Sequence, residues 1–163
     1  MNRKQTYLIE RVLSGADELA ASVRLVTPEE LLFRPAPAEW HIHEIVAHLL
    51  QTHRDRFVPC IALALREPGT AISAFDPVAH MAAHYQAGDT LSGMLAKFRA
   101  ECRRIAALVE SAKPAAMANT IAHPRMGNVS AEWWALHAYG HTHTHVAQIL
   151  DNRCEWLRVA AKR

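Results

Sequence analysis

Residues 135–149 read ALHAYGHTHTHVAQI. His137, His141 and His145 recur every four positions, with Ala138, Val146 and Ile149 set among them. Residues four apart on an α-helix lie one above the other, so these imidazoles share a face. Ser130 stands where a helix cap belongs, and Glu132 suits the positive end of the helix dipole. The spacing predicts a long helix over residues 131–153.

The same period recurs on both sides of this segment. Leu8, Val12, Ala16, Leu19, Val23 and Val26 place a helix over residues 4–26, and Thr27-Pro28 opens a short turn after it. Arg34-Pro35-Ala36-Pro37 is a non-helical connector, because each proline pushes its predecessor toward extended geometry. A second helix starts near Trp40, with Ile42, Ile45, Val46, Leu49 and Leu50 as its buried stripe. Pro59 should kink or end it, although Ile61, Leu63 and Leu65 can carry the rod to Arg66. Asp76-Pro77 starts a shorter helix through Gln86. Thr90 caps another, with Leu91, Met94, Phe98, Cys102, Ile105 and Val109 on one face. Residues 113–129, rich in Pro, Gly and Asn, read as a long loop. No segment alternates with period two, so no strands are expected. The fold class is all-α: an up-and-down four-helix bundle with one additional short helix, in a single domain over residues 1–163.

Composition narrows the function classes. Half of the 163 residues are apolar and 21% are charged, as in a soluble globular domain. The net charge is +2 and the basic residues are scattered, which gives no electrostatic case for a nucleic-acid or membrane partner. No apolar run is long enough to span a bilayer. The opening MNRKQTYLIERVL meets Glu10 and Arg11 too soon for a secretory leader, so a cytoplasmic location is expected. Cys60, Cys102 and Cys154 are far apart and form no CxxC pair; they read as small, partly buried hydrophobes. No nucleophile elbow and no Gly-rich phosphate loop occurs.

Eleven histidines remain to be explained. His141 and His145, one turn apart, can grip one cation. His137 and His145 are separated by roughly 12 Å along the axis, so all three cannot share it. A third ligand must come from another helix. The second helix offers His41, His43, His48 and His53. His48 lies mid-helix beside the apolar stripe, whereas His41 and His43 fall in the first turn and read as solvated or capping. His53, one turn beyond His48, stands where it can support a ligand. His137 is a candidate to line the pocket, and His143 faces another side, at the surface. His80 and His84 form a competing pair, read as partly exposed polar residues. Glu44, Asp55 and Tyr85 are the acid/base candidates, each with a plainer reading: Glu44 suits the helix dipole, Asp55 sits in a solvated patch between Arg54 and Arg56, and Tyr85 covers the core edge. Of Trp133 and Trp134, one should pack inward and the other wall a pocket or a dimer face.

Two segments carry a resemblance. Glu39-Trp40-His41-Ile42-His43-Glu44-Ile45-Val46-Ala47-His48-Leu49 resembles the helix-two signature of the DinB-like (YfiT-like) metal-binding bundle superfamily. There a Trp opens the helix and a His before a Leu is a metal ligand. His141 to Ile149 resembles the same family's last-helix signature, in which an HxxxH pair precedes Gln-Ile. The Leu31-Leu32-Phe33-Arg34-Pro35 run and the His123-Pro124…Gly127 loop are similar too. The resemblance implies a four-helix bundle, often homodimeric, with one divalent ion on His48, His141 and His145. It implies thiol-dependent S-transferases among the relatives, using a low-molecular-weight thiol as cosubstrate.

Three neutral imidazoles leave a divalent ion its full charge and an open position. Such an ion lowers the pKa of bound water to about 7 and deprotonates a bound thiol outright. Zinc, nickel, iron and manganese all accept imidazole. The expected function is that of a metal-dependent enzyme acting on a small molecule, first of all a thiol S-transferase. The alternatives are a metal-dependent hydrolase and a non-catalytic, metal-stabilised binding or stress protein.

Overall fold

Four long rods build the molecule; the structure, a computed structural model, describes residues 1–162. Helix α1 (Arg3–Ser22) opens with a capping box, in which Asn2 and Gln5 satisfy each other's backbone amides. It ends earlier than the apolar period implied, since Leu25 takes a positive φ of 62° that turns the chain. The short α2 (Pro28–Leu31) follows its Thr27 cap. Helix α3 (Ile42–Thr52) runs into one π-helical turn, His53–Phe57, and straight on into α4 (Val58–Arg66). After α5 (Pro77–His84) come α6 (Leu91–Ser111), a 3₁₀ turn at Pro114–Ala118 and the last helix, α7 (Ala131–Ala160).

Pro59 therefore neither ends nor breaks the second rod. Proline lacks the N–H that would bond the carbonyl four residues back, and its ring crowds that carbonyl. The π turn widens the helix just upstream, with the Val58 amide bonded to the His53 carbonyl. Such turns are uncommon and often sit at functional sites.

The long loop also departs from expectation. Strands β1 (Thr120–His123) and β2 (Gly127–Ser130) pair antiparallel, with Ile121 opposite Val129. Each strand has four residues and buries one large side chain, so no period-two pattern can show in the sequence. Ala71 bridges the outer edge of β1 at Ala122. Helix α7 runs past residue 153 because nothing there breaks it and its last turns still pack, with Trp156 5.5 Å from Phe33.

The core lies between α1, α3, α6 and α7. Leu19, Ile45, Leu49, Ile105 and Ile149 are fully buried in it. Helix α7 is fastened to the start of the second rod by Asn152, whose Nδ2 donates to the Trp40 carbonyl at 2.9 Å. Arg153 fastens it to α1 and α2. Its Nε donates to the buried Glu30 carboxylate at 2.7 Å, and its Nη1 to the Ser22 carbonyl at 2.7 Å. Removing one partner of such a pair strands the other charge. Arg153→Met should cost about 3 kcal/mol in urea unfolding. Adding Glu30→Leu should restore at least half of that loss, and no recovery would show the pair to be incidental.

Candidate metal centre

Helix α3 presents His48, and two successive turns of α7 present His141 and His145. One ligand atom from each ring lies within 4.8 Å of the others. The Nε2 atoms of His48 and His141 are 3.2 Å apart. The ring centroids of His48 and His145 are 4.8 Å apart, and those of His141 and His145 4.6 Å. The structure thus brings together the three residues singled out from the sequence.

Several contacts fix the rings. The His145 Nδ1–H donates to Gln148 Oε1 at 2.8 Å, which leaves the Nε2 lone pair free. His48 Nδ1 faces the Thr52 hydroxyl at 3.4 Å. Trp40 packs beside the cluster, its ring 4.7 Å from His48 and 6.4 Å from His145. His141 Nδ1 is buried with no partner.

Burial also sets the protonation state. Desolvation, with help from neighbouring imidazoles, lowers the pKa of His48 to about 3 and that of His141 to about 2. Desolvation lowers His145 as well, against the pull of Gln148. All three rings are neutral at neutral pH. A neutral pair can share one proton between facing nitrogens, but a third converging ring has none to add. The donor set fits a divalent cation, which binds neutral imidazole and needs no proton there.

The other histidines divide by environment. His137 lines the adjacent cavity and stacks on Trp133 at 4.4 Å, and burial lowers its pKa. His53 points into the core: its Nδ1–H donates to the Leu49 carbonyl at 3.0 Å, and its ring meets Phe98 edge-on at 4.6 Å. Its Nε2 faces the hydroxyl of Thr142, the residue after His141, at 3.3 Å. His41 caps α3, as expected, by accepting from the Glu44 amide. His43 corrects the reading of a solvated first turn, being only 3% exposed. Its ring ties α3 to Tyr85 Oη at 2.9 Å and to the Asp89 carbonyl at 2.7 Å. His143 is exposed. His80 pairs with Asp55 at 3.0 Å, and His84 is exposed and stacks on it. Cys60 and Cys102 are buried, whereas Cys154 is exposed.

A cavity of about 520 Å³ opens beside the three rings. Phe57, Phe75 and Trp134 form much of its wall, and the β1–β2 hairpin supplies His123, Arg125 and Met126 to its lining. Arg56 also lines it and is only 9% exposed, against the reading of a solvated Arg54–Arg56 patch. Trp134 is the inward-packing indole, as one of the pair was expected to be, and Trp133 is exposed. Among the described residues no carboxylate lines this cavity.

The model of the DinB superfamily matches residues 12–149. The chain belongs to the DinB superfamily. Its fold is shared with YfiT from Bacillus subtilis, described as a probable metal-dependent hydrolase with an unusual four-helix bundle topology. That likeness has a TM-score of 0.78 at 22% identity, over 93% of this chain and 87% of YfiT. A putative DinB-family member from Exiguobacterium sibiricum 255-15 matches with a TM-score of 0.60 at 19% identity, over 96% of this chain and 93% of that one. No curated protein matches the chain. Among the described residues no helix is long and apolar enough to cross a membrane.

The buried imidazoles give the metal-free protein a defined acid response. An unfolded His titrates near 6.5, and folded His48 and His53 only near 3. Between those values the unfolded chain binds more protons, so stability is fully present above about pH 6.5 and falls as pH drops toward 3. Each such ring should remove about 1.4 kcal/mol per pH unit in that window. Urea unfolding of chelator-treated protein should show this slope, and a flat profile from pH 6.5 to 4.5 would contradict it.

Proposed function

We propose that His48, His141 and His145 hold one divalent metal ion and that the protein is a metal-dependent enzyme acting on a small molecule in the adjacent cavity. The observation that carries this reading is the convergence of three neutral imidazoles at one wall of that cavity. A divalent ion held there supplies Lewis acidity, lowering the proton affinity of a water or thiol beside it. Zinc, nickel, iron and manganese all suit the donor set.

The chain's own groups do the rest. Gln148 holds the His145 ring with its Nε2 lone pair free, and Trp40 covers one side of the site. His137, neutral and facing the cavity, is placed to take a proton. We assign transfer of a low-molecular-weight thiol to an electrophile as the first reaction class. The sulfur bonds to the electrophilic carbon, the leaving group departs with its electron pair, and the thiol proton passes to His137. Trp40, Phe57, Phe75 and Trp134 in the wall support this reading, since polarisable aromatic rings suit a soft sulfur nucleophile. Hydrolysis is the second reading, supported by the description of YfiT as a probable metal-dependent hydrolase.

Metal analysis tests the site. Chelator-stripped protein should take up one cobalt or zinc ion per chain. His48→Ala, His141→Ala and His145→Ala should each lose it, and His143→Ala should keep it. Uptake that survives all three substitutions would refute the site. Cobalt-loaded protein mixed with a small thiol should gain a sulfur-to-cobalt charge-transfer band and accelerate thiol addition to an activated aryl halide. Turnover of aryl esters without thiol, and no such band, would favour hydrolysis.

Gln148→Leu removes only the orienting acceptor. It should weaken metal affinity about 10–100-fold while leaving the fold unchanged by circular dichroism. Unaltered affinity would show that the His145 ring is held by packing alone.

A further inference from the structure

The lining of the cavity also contains a positive charge with no counter-charge. Arg56 sits in the same π turn as His53 and is 9% exposed. Its guanidinium carbon lies 5.4 Å from the Trp134 ring centre and 5.7 Å from that of Phe75. Its Nη1 donates to the Ser73 carbonyl at 3.2 Å. Its Nη2 is buried and has no partner. Among the described residues no carboxylate pairs with it; the adjacent Asp55 is engaged by Arg54 at 2.8 Å and by His80 at 3.0 Å. Burying a guanidinium without a counter-charge is costly.

Two more donors line the same cavity. Trp134 Nε1 is buried and unpartnered. His123 Nδ1 accepts from the backbone amides of Arg125 and Met126, both at 3.2 Å, so the neutral ring carries its proton on Nε2. The wall thus offers Arg56, Trp134 and His123 as donors, with Arg125 as a second cation beside them and, among the described residues, no acceptor carboxylate.

We propose that this wall is a carboxylate-binding subsite, so that the small-molecule substrate carries a carboxylate anchored by Arg56 with Trp134 and His123 as flanking donors. One buried guanidinium matches one negative charge, and its free edge suits a planar acceptor. The aromatic rings around it suit a flat apolar body joining the carboxylate to the reacting centre. The inference rests on the proposed cavity as the substrate site. It does not require a metal, and the test is run without one.

Chelator-stripped protein is titrated with benzoate, with the neutral isostere benzamide and with phenyl phosphate, following tryptophan fluorescence and heat. Benzoate should bind in the millimolar range and at least tenfold more tightly than benzamide. Arg56→Met should abolish that preference, and Arg56→Lys, which keeps the charge and loses the fork, should reduce it several-fold. Circular dichroism and cobalt uptake of both variants show whether the fold and the histidine site persist. Equal binding of benzoate and benzamide, a preference that survives Arg56→Met, or no binding of either probe would overturn the proposal. Tighter binding of phenyl phosphate than of benzoate would overturn the carboxylate assignment. Failed cobalt uptake by the wild-type protein would count against the metal reading alone, since the anion titrations contain no metal.

Discussion

Three uncharged imidazoles meeting inside a helical bundle are the constraint around which this molecule is arranged. Rings with polar nitrogens cost free energy when buried unless each nitrogen finds a partner. Two of these rings face each other nitrogen to nitrogen at 3.2 Å, and the third is turned toward them by Gln148. Desolvation keeps all three from taking protons, so acid-base chemistry cannot satisfy the cluster at neutral pH. A cation can. The supporting contacts serve that convergence: Asn152 ties α7 to Trp40, and Trp40 packs on His48 and His145.

The second rod shows how backbone geometry contributes. His48 lies on regular helix, and the π turn begins five residues later. That turn accommodates Pro59 and lets one rod carry both the α3 histidine and the cavity-lining Arg56 and Phe57. A cluster with lone pairs and a wall with N–H donors thus face one cavity. With the lone pairs committed to a cation, the N–H wall suits an anionic group on the ligand.

Much of this was legible in the sequence because it rests on short-range periodicity. The four-residue spacing of His141 and His145 places them on one face by helix geometry alone. The apolar stripes of α1, α3 and α6 gave the rods. His48 was singled out among four histidines by its place in the apolar stripe and by the resemblance to the DinB-like signature, because no local pattern encodes a contact spanning 93 residues. The hairpin stayed hidden since four-residue strands bury too few side chains to show a period. His43 looked solvated because its partners, Tyr85 and the Asp89 carbonyl, arrive from a distant loop. Arg56 was hidden by the company of Arg54 and Asp55, which marks a surface patch in sequence but spans buried and exposed faces of one helix in space. The π turn carried one signal, a proline in a helix whose apolar pattern did not stop.

The metal reading fixes a position in space: one ion, on a nitrogen of each of three rings, opening onto one cavity. Anomalous diffraction from a zinc- or cobalt-soaked crystal reads that position directly. A single strong peak is expected about 2.0–2.1 Å from a ring nitrogen of each of His48, His141 and His145, with an open side toward the cavity. A peak at His80 and His84 instead, or none near the three rings at full metal loading, would contradict it.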